Sequence, residues 1–165
     1  MKELYLAGGC FWGLQKFIDQ FDGVTLTEVG YANGPAEWEG KQPSYEDVCR
    51  NSGHAETVKV VYDESKLSTA GLLDFYFMVI DPLSVNKQGH DRGIQYRTGI
   101  YYTDPSDLDE IREVYDRETV KAGQPLAVEL MPLENFYSAE EYHQKYLDKN
   151  PGGYCHIPSS YFNIQ

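Results

Sequence analysis

The stretch Lys2-Glu3-Leu4-Tyr5-Leu6-Ala7-Gly8-Gly9-Cys10-Phe11-Trp12-Gly13 changes periodicity part-way, and that change sets the fold class. Lys2–Ala7 is a short, largely apolar run closed by two glycines, the pattern of a strand entering a turn. From Cys10 onward Leu14, Phe17, Ile18 and Phe21 fall at helical spacing, and Gly23 ends the run. The chain therefore opens as strand, glycine turn, amphipathic helix.

The rest alternates in the same way. Val24–Ala32 (VTLTEVGYA) is rich in β-branched residues and predicts a strand; Asn33–Pro43 is a turn-rich loop. Ser44-Tyr45-Glu46-Asp47 resembles a capped start to a short helix through Cys49, and Glu56–Tyr62 (ETVKVVY) alternates as a strand. Ser68–Ile80 predicts a largely buried helix ended by Pro82, and Leu83–Gly93 a long loop before a strand around Ile94–Tyr102. Pro105–Ala122 predicts an amphipathic helix stopped by Gly123, and Leu126–Met131 a strand. Ser138–Leu147 predicts a last helix, before Asn150-Pro151-Gly152-Gly153 and an irregular tail. No repeat or low-complexity segment interrupts this order. The expectation is one α+β domain, a mixed sheet with helices on a split-βαβ, ferredoxin-like core.

A chain of 165 residues with 41% apolar and 24% charged residues suits one soluble domain with a real core. Its 14 Lys and Arg against 26 Asp and Glu give a formal charge of −12, which disfavours phosphate backbones and anionic lipid surfaces. The most apolar stretch, Gly71–Ile80, is too short to span a bilayer and carries Asp74. The first residues lack a basic region and a cleavage site, so no signal peptide is read. Three scattered cysteines, Cys10, Cys49 and Cys155, do not make a disulfide scaffold; a reducing cytoplasm is expected.

A cysteine at a helix N-terminus feels the positive end of the helix dipole, which favours the thiolate. Phe11 and Trp12 beside it supply an apolar wall suited to a small, methyl-bearing substrate. No Lys or Arg lies within five residues of Cys10, so the thiolate is expected to form only partly before substrate binds. On these features alone a buried structural cysteine with two core aromatics explains the segment equally well.

The string GGCFWG resembles the signature of the peptide methionine sulfoxide reductase A family, and the likeness continues in order along nearly the whole chain. Gly30-Tyr31 with Pro43-Ser44-Tyr45-Glu46-Asp47-Val48-Cys49 resembles the next family block, and Gly53-His54-Ala55-Glu56 with Val58 and Tyr62-Asp63 the one after. His90-Asp91-Arg92-Gly93-Ile94-Gln95-Tyr96-Arg97 is similar to the family's aspartate–glutamine–tyrosine–arginine segment. His143-Gln144-Lys145-Tyr146-Leu147 and Asn150–Cys155 resemble the C-terminal block.

The resemblance implies a cofactor-free, metal-free reductase of methionine-S-sulfoxide, free or in oxidised proteins. It implies Cys10 as nucleophile and Glu56 as the acid on the sulfoxide oxygen, helped by the hydroxyls of Tyr45 and Tyr96. Asp91 matches a family active-site carboxylate, and Phe11 and Trp12 would cage the methyl. A glutamate beside an aromatic wall should have its pKa raised by desolvation. Cys10 would become a sulfenic acid, resolved by Cys155 as a Cys10–Cys155 disulfide and reduced by thioredoxin. The expected organisation is a monomer, one catalytic domain over 1–165, with 148–165 a mobile tail that carries the resolving cysteine. Cys49 is read as a packing residue. No cysteine follows Cys155, which implies a two-cysteine relay, and Tyr31-Ala32-Asn33-Gly34 departs from the paired glycines expected there.

Three other readings make different demands. A metal site would use the four histidines and three cysteines, but no C-x-x-C or H-x-x-x-H spacing occurs. A cysteine hydrolase would pair Cys10 with His54 or His143 as base. A binding module would line a groove with some of the 14 tyrosines.

Overall fold

A computed structural model describes residues 1–164. Strand β1 (Lys2–Ala7) sits inside the sheet and sends its side chains to two faces. Leu4 and Leu6 point into the main core with Leu14, Phe17 and Ile18 of helix α1 (Phe11–Asp19). Tyr5 and Ala7 point into a smaller cluster on the other face with Ala32, Ala55 and Tyr101. Strand β2 (Val24–Ala32) follows α1, then the short helix α2 (Tyr45–Cys49) and strand β3 (Ala55–Tyr62). A capping box starts α2: the Asp47 N–H donates to Ser44 Oγ at 3.1 Å and the Ser44 N–H to Asp47 Oδ2 at 2.9 Å.

β3 lies between β1 and β2 and runs antiparallel to both, so β1-α1-β2 is a split βαβ unit, as the sequence implied. Helix α3 (Thr69–Val79) leads to a two-strand hairpin, β4 (Lys87–Gln88) and β5 (Asp91–Arg92), and then to β6 (Gly99–Tyr102). Helix α4 (Leu108–Ala122) packs on α3. β7 (Glu129–Pro132) joins β6 in parallel at one edge of the sheet, and β8 (Phe136–Ser138) joins β2 at the other. The order is β7-β6-β1-β3-β2-β8, a mixed sheet. Helix α5 (Tyr146–Lys149) precedes the tail.

Four readings need correction. The Leu83–Gly93 loop contains the β4–β5 hairpin. Ile94–Tyr96 is a 3-10 turn, so the strand read from Ile94 begins only at Gly99. The strand read over Leu126–Met131 sits later, at Glu129–Pro132, where register with β6 places it. The helix read over Ser138–Leu147 is broken into β8, a 3-10 turn at Glu141–His143, and α5. Gln144 explains the break: its carboxamide accepts from Val29 N–H at 3.0 Å and donates to Val29 O at 2.9 Å, pairing with β2 as a strand backbone would. Lys145 then takes φ +54°, which no continuous helix allows. Among the described residues no helix is long and apolar enough to cross a membrane.

Candidate active site

Cys10 is the N-cap of α1, in extended backbone, and 8% exposed. Gly9 before it lies at φ +80°, a turn that favours glycine. Burial raises the Cys10 thiol well above its ordinary value, nearby Glu56 adds to this, and the polar backbone N–H of Trp12 opposes them, although the thiol makes no capping hydrogen bond. The dipole expected to favour a thiolate is thus outweighed by burial.

Glu56 stands on the face of β3 that sends Val58, Val60 and Tyr62 into the core, directly opposite Tyr31 of β2. It is 1% exposed, and its Oε1 accepts from the Phe11 backbone N–H at 3.2 Å. Burial pushes its pKa up to about 8; the Phe11 bond pulls it down and the Asp91 charge lifts it. Near neutral pH this carboxyl is mostly protonated, an acid rather than a base.

Tyr45 opens α2 and Tyr96 ends the 3-10 turn before β6. Both phenols are pushed up, chiefly by burial, and the charge of Glu56 acts on each. They remain neutral O–H groups, both near enough to Glu56 to feel its charge. Glu140 fixes Tyr45: its Oε2 accepts from the Tyr45 N–H at 2.9 Å and its Oε1 from the Tyr31 hydroxyl at 2.8 Å. Asp91, on β5, is half-buried, which raises its pKa; His156 and Tyr154 beside it pull the other way.

Phe11 is closed off at 1% exposure, packed on Tyr31 and His143, and forms a floor under the site. Trp12 stays partly exposed. Its ring stacks on Tyr146 at 3.7 Å and 11°, and its indole N–H donates to His143 Nδ1 at 2.9 Å. His143 and Glu140 are the positioning residues that sequence reasoning missed. His143 lies inside a quoted family block, whereas nothing local marks Glu140.

Cys155 lies against α1: a Cβ added at Gly13 would come within 2.6 Å of its Sγ. Position 13 is one helical turn from position 10, so both thiols face the same stretch of α1. Cys155 also walls an open cavity of about 670 Å³ with Lys16, Leu147, Ile157 and Phe162. Cys10, Cys49 and Cys155 are all free. The packing role read for Cys49 is corrected: it is exposed at the end of α2.

The other readings fit this geometry poorly. The indole N–H given to His143 Nδ1 puts that ring's proton on Nε2, so it has no free lone pair for Cys10, and the unpartnered Nε2 of His54 lies against Gly34. Tyr31, Tyr62, Tyr76 and Tyr101 are wholly buried core, not the lining of a groove. Among the described residues no three His, Cys, Asp or Glu side chains gather as metal ligands.

The family model described as peptide methionine sulfoxide reductase matches residues 2–164. The chain belongs to the peptide methionine sulfoxide reductase family. It is an oxidoreductase of that family. Among curated relatives, the peptide methionine sulfoxide reductase MsrA of Clostridium acetobutylicum is 55% identical over 159 residues, covering 96% of each chain. That of Lachnoclostridium phytofermentans is 54% identical over 163 residues, covering 98% of this chain and 96% of its own. Among solved structures, Mxr1 from Saccharomyces cerevisiae in reduced form superposes with a TM-score of 0.88 at 38% identity, over 95% of this chain and 91% of that one. Mxr1 in complex with Trx2 matches at a TM-score of 0.60 and 26% identity, over 88% and 84%.

Proposed function

We propose that this chain reduces methionine-S-sulfoxide, free and in oxidised proteins, to methionine and so repairs them, with Cys10 as nucleophile and Glu56 as acid. The observation that carries the reading is the buried, protonated Glu56 hydrogen-bonded to the residue after Cys10. A sulfoxide oxygen carries negative charge, and an O–H donor on it makes the sulfur electrophilic. Glu56 is such a donor, and Tyr45 and Tyr96 add two more. Cys10 attacks the sulfur, the S–O bond breaks, methionine leaves, and the oxygen ends on Cys10 as a sulfenic acid. The Cys10 thiol proton is given up only as substrate binds, in keeping with its raised pKa. Trp12 bounds the methyl, with Phe11 beneath.

Cys155 then attacks the sulfenic acid, and the resulting disulfide passes its electrons on by exchange with thioredoxin. Mxr1 has been crystallised in complex with Trx2, which supports a partner of that kind. The segment from residue 148 onward acts in this reading as the mobile tail that delivers Cys155, Gln165 lying outside the described residues, and the setting is the cytoplasm.

The test mixes reduced protein with racemic N-acetylmethionine sulfoxide and no reductant. One methionine per chain, consumption of the S epimer alone and a Cys10–Cys155 bridge on mass spectrometry are expected. No methionine from protein with intact thiols would overturn the reading. Methionine without that bridge would remove Cys155 from it.

A further inference from the structure

His156 follows Cys155, and its imidazole is only 4% exposed although neither ring nitrogen makes a well-formed hydrogen bond; the Gly8 backbone acts on it from close by. The ring lies on bare backbone. A Cβ at Gly9 would meet His156 Nε2 at 2.9 Å, one at Gly89 would meet His156 Cβ at 3.3 Å, and one at Gly13 would meet His156 Cε1 at 3.7 Å. Gly9 adjoins Cys10, and Gly13 is the seat of the Cys155 sulfur. The charged group facing the ring is Asp91, whose Oδ2 is 4.0 Å from Nδ1, too far for a hydrogen bond. The same Oδ2 accepts the Tyr154 hydroxyl at 3.3 Å, so both neighbours of Cys155 converge on one carboxylate.

Buried imidazoles normally find partners, and an orphaned one calls for a reason. Shape supplies it here. The side chain fills the space over three glycines, the ring over Gly9 and Gly13 and the Cβ over Gly89, and pins the tail where Cys155 can rest on Gly13. With the ring removed, the tail would lose a buried anchor next to Cys155, leaving Ile157 one residue further on.

We propose that His156 is a positioning residue for the resolving step, a wedge that holds the Cys155 thiol beside Cys10; this rests on the Cys155 reading above. In that step the Cys155 sulfur bonds to the Cys10 sulfur and the S–O bond of the sulfenic acid breaks. The hydroxyl leaves with the thiol proton as water, so Cys155 is oxidised and the Cys10 sulfur reduced. His156 takes no proton or electron. It sets only how often the sulfurs meet.

Single-turnover experiments separate the steps. Reduced wild type, His156→Ala and His156→Phe are mixed with N-acetylmethionine sulfoxide without reductant. Methionine formation, disulfide formation and dimedone adducts on Cys10 are followed by quenched mass spectrometry. His156→Ala is expected to form its first methionine at the wild-type rate but its disulfide at least about tenfold more slowly, with a dimedone adduct accumulating. His156→Phe, which refills the space without a nitrogen, is expected to restore most of the disulfide rate. A wild-type disulfide rate in His156→Ala overturns the wedge, as does equal slowing of both steps or a His156→Phe that behaves like His156→Ala. Absence of a Cys10–Cys155 bridge in wild type would instead overturn the reading of Cys155 on which the wedge depends.

Discussion

The backbone N–H of Phe11 donates to Glu56 Oε1 at 3.2 Å, so the residue after Cys10 is tied to the carboxyl that stands under it. One bond couples the start of α1 to β3 and sets the acid at a fixed height from the nucleophile. It also opposes the desolvation that keeps Glu56 protonated, and desolvation wins. The site thus holds a donor at neutral pH without any cation nearby.

Methionine formation should therefore fail on the alkaline side. Glu56 is an acid up to about pH 8 and loses its proton above it, so the single-turnover rate is expected to fall through that region. Glu56→Gln should lower the rate roughly 10²- to 10⁴-fold. Stability falls in the same direction. Between the ordinary 4.5 and about 8 the folded chain keeps a proton that the unfolded chain has lost, so stability declines as pH rises. Thermal melts at pH 5 and pH 8 should show Glu56→Gln gaining on wild type at the higher pH; parallel curves would contradict the burial argument.

Glu140 predicts the opposite sign. Burial alone would lift its pKa, but bonds from the Tyr45 N–H and the Tyr31 hydroxyl outweigh it and hold the carboxylate below its ordinary value. Its contribution is present above the ordinary carboxylate range and lost as pH falls through the folded pKa. Glu140→Gln is expected to lose about 1–2 kcal/mol at pH 7, a gap that closes toward pH 3, and to slow methionine formation by freeing Tyr45. Urea titrations at the two pH values measure the gap.

Much of this was legible locally. β1 and β2 follow their apolar runs residue for residue, the Ser44–Asp47 box does start α2, and the split βαβ order follows from the alternation. The misreadings share one cause, competition from distant partners. Arg97 holds the turn at Ile94 by donating to its carbonyl at 3.0 Å while bonding Glu129 at 2.8 Å, and the Gln144 carboxamide on β2 breaks the last helix. At the site, residue types announced the cysteines and Glu56. Glu140 and His156 owe their roles to what the fold brings against them, and no spacing records that.

Trp12 should matter to binding in two parts. Its face lies on Tyr146, and its N–H is held by His143. Trp12→Phe keeps an aromatic face and leaves His143 Nδ1 without its donor; a several-fold loss in kcat/KM is expected. Trp12→Ala opens the wall around the methyl and should lose roughly 10- to 200-fold, the range for a small apolar pocket contact. Steady-state kinetics on N-acetylmethionine sulfoxide distinguishes them, and equal effects would show that the stacked face contributes nothing.

Gly13 gives the sharpest separation of folding from function. Glycine inside a helix is worse than alanine by about 0.5–1 kcal/mol, so Gly13→Ala should hold or raise the melting temperature if the tail can give way. The new methyl would sit 2.6 Å from Cys155 Sγ, inside any real contact, so the thiol must leave its seat. The first methionine forms before Cys155 is needed and should appear at the wild-type rate. The Cys10–Cys155 bridge should then lag by about tenfold or more, because the sulfurs no longer share one turn of α1. A bridge that forms on time in Gly13→Ala would mean that the resolving thiol approaches Cys10 from elsewhere, and that the resting place of Cys155 on α1 has no part in the relay.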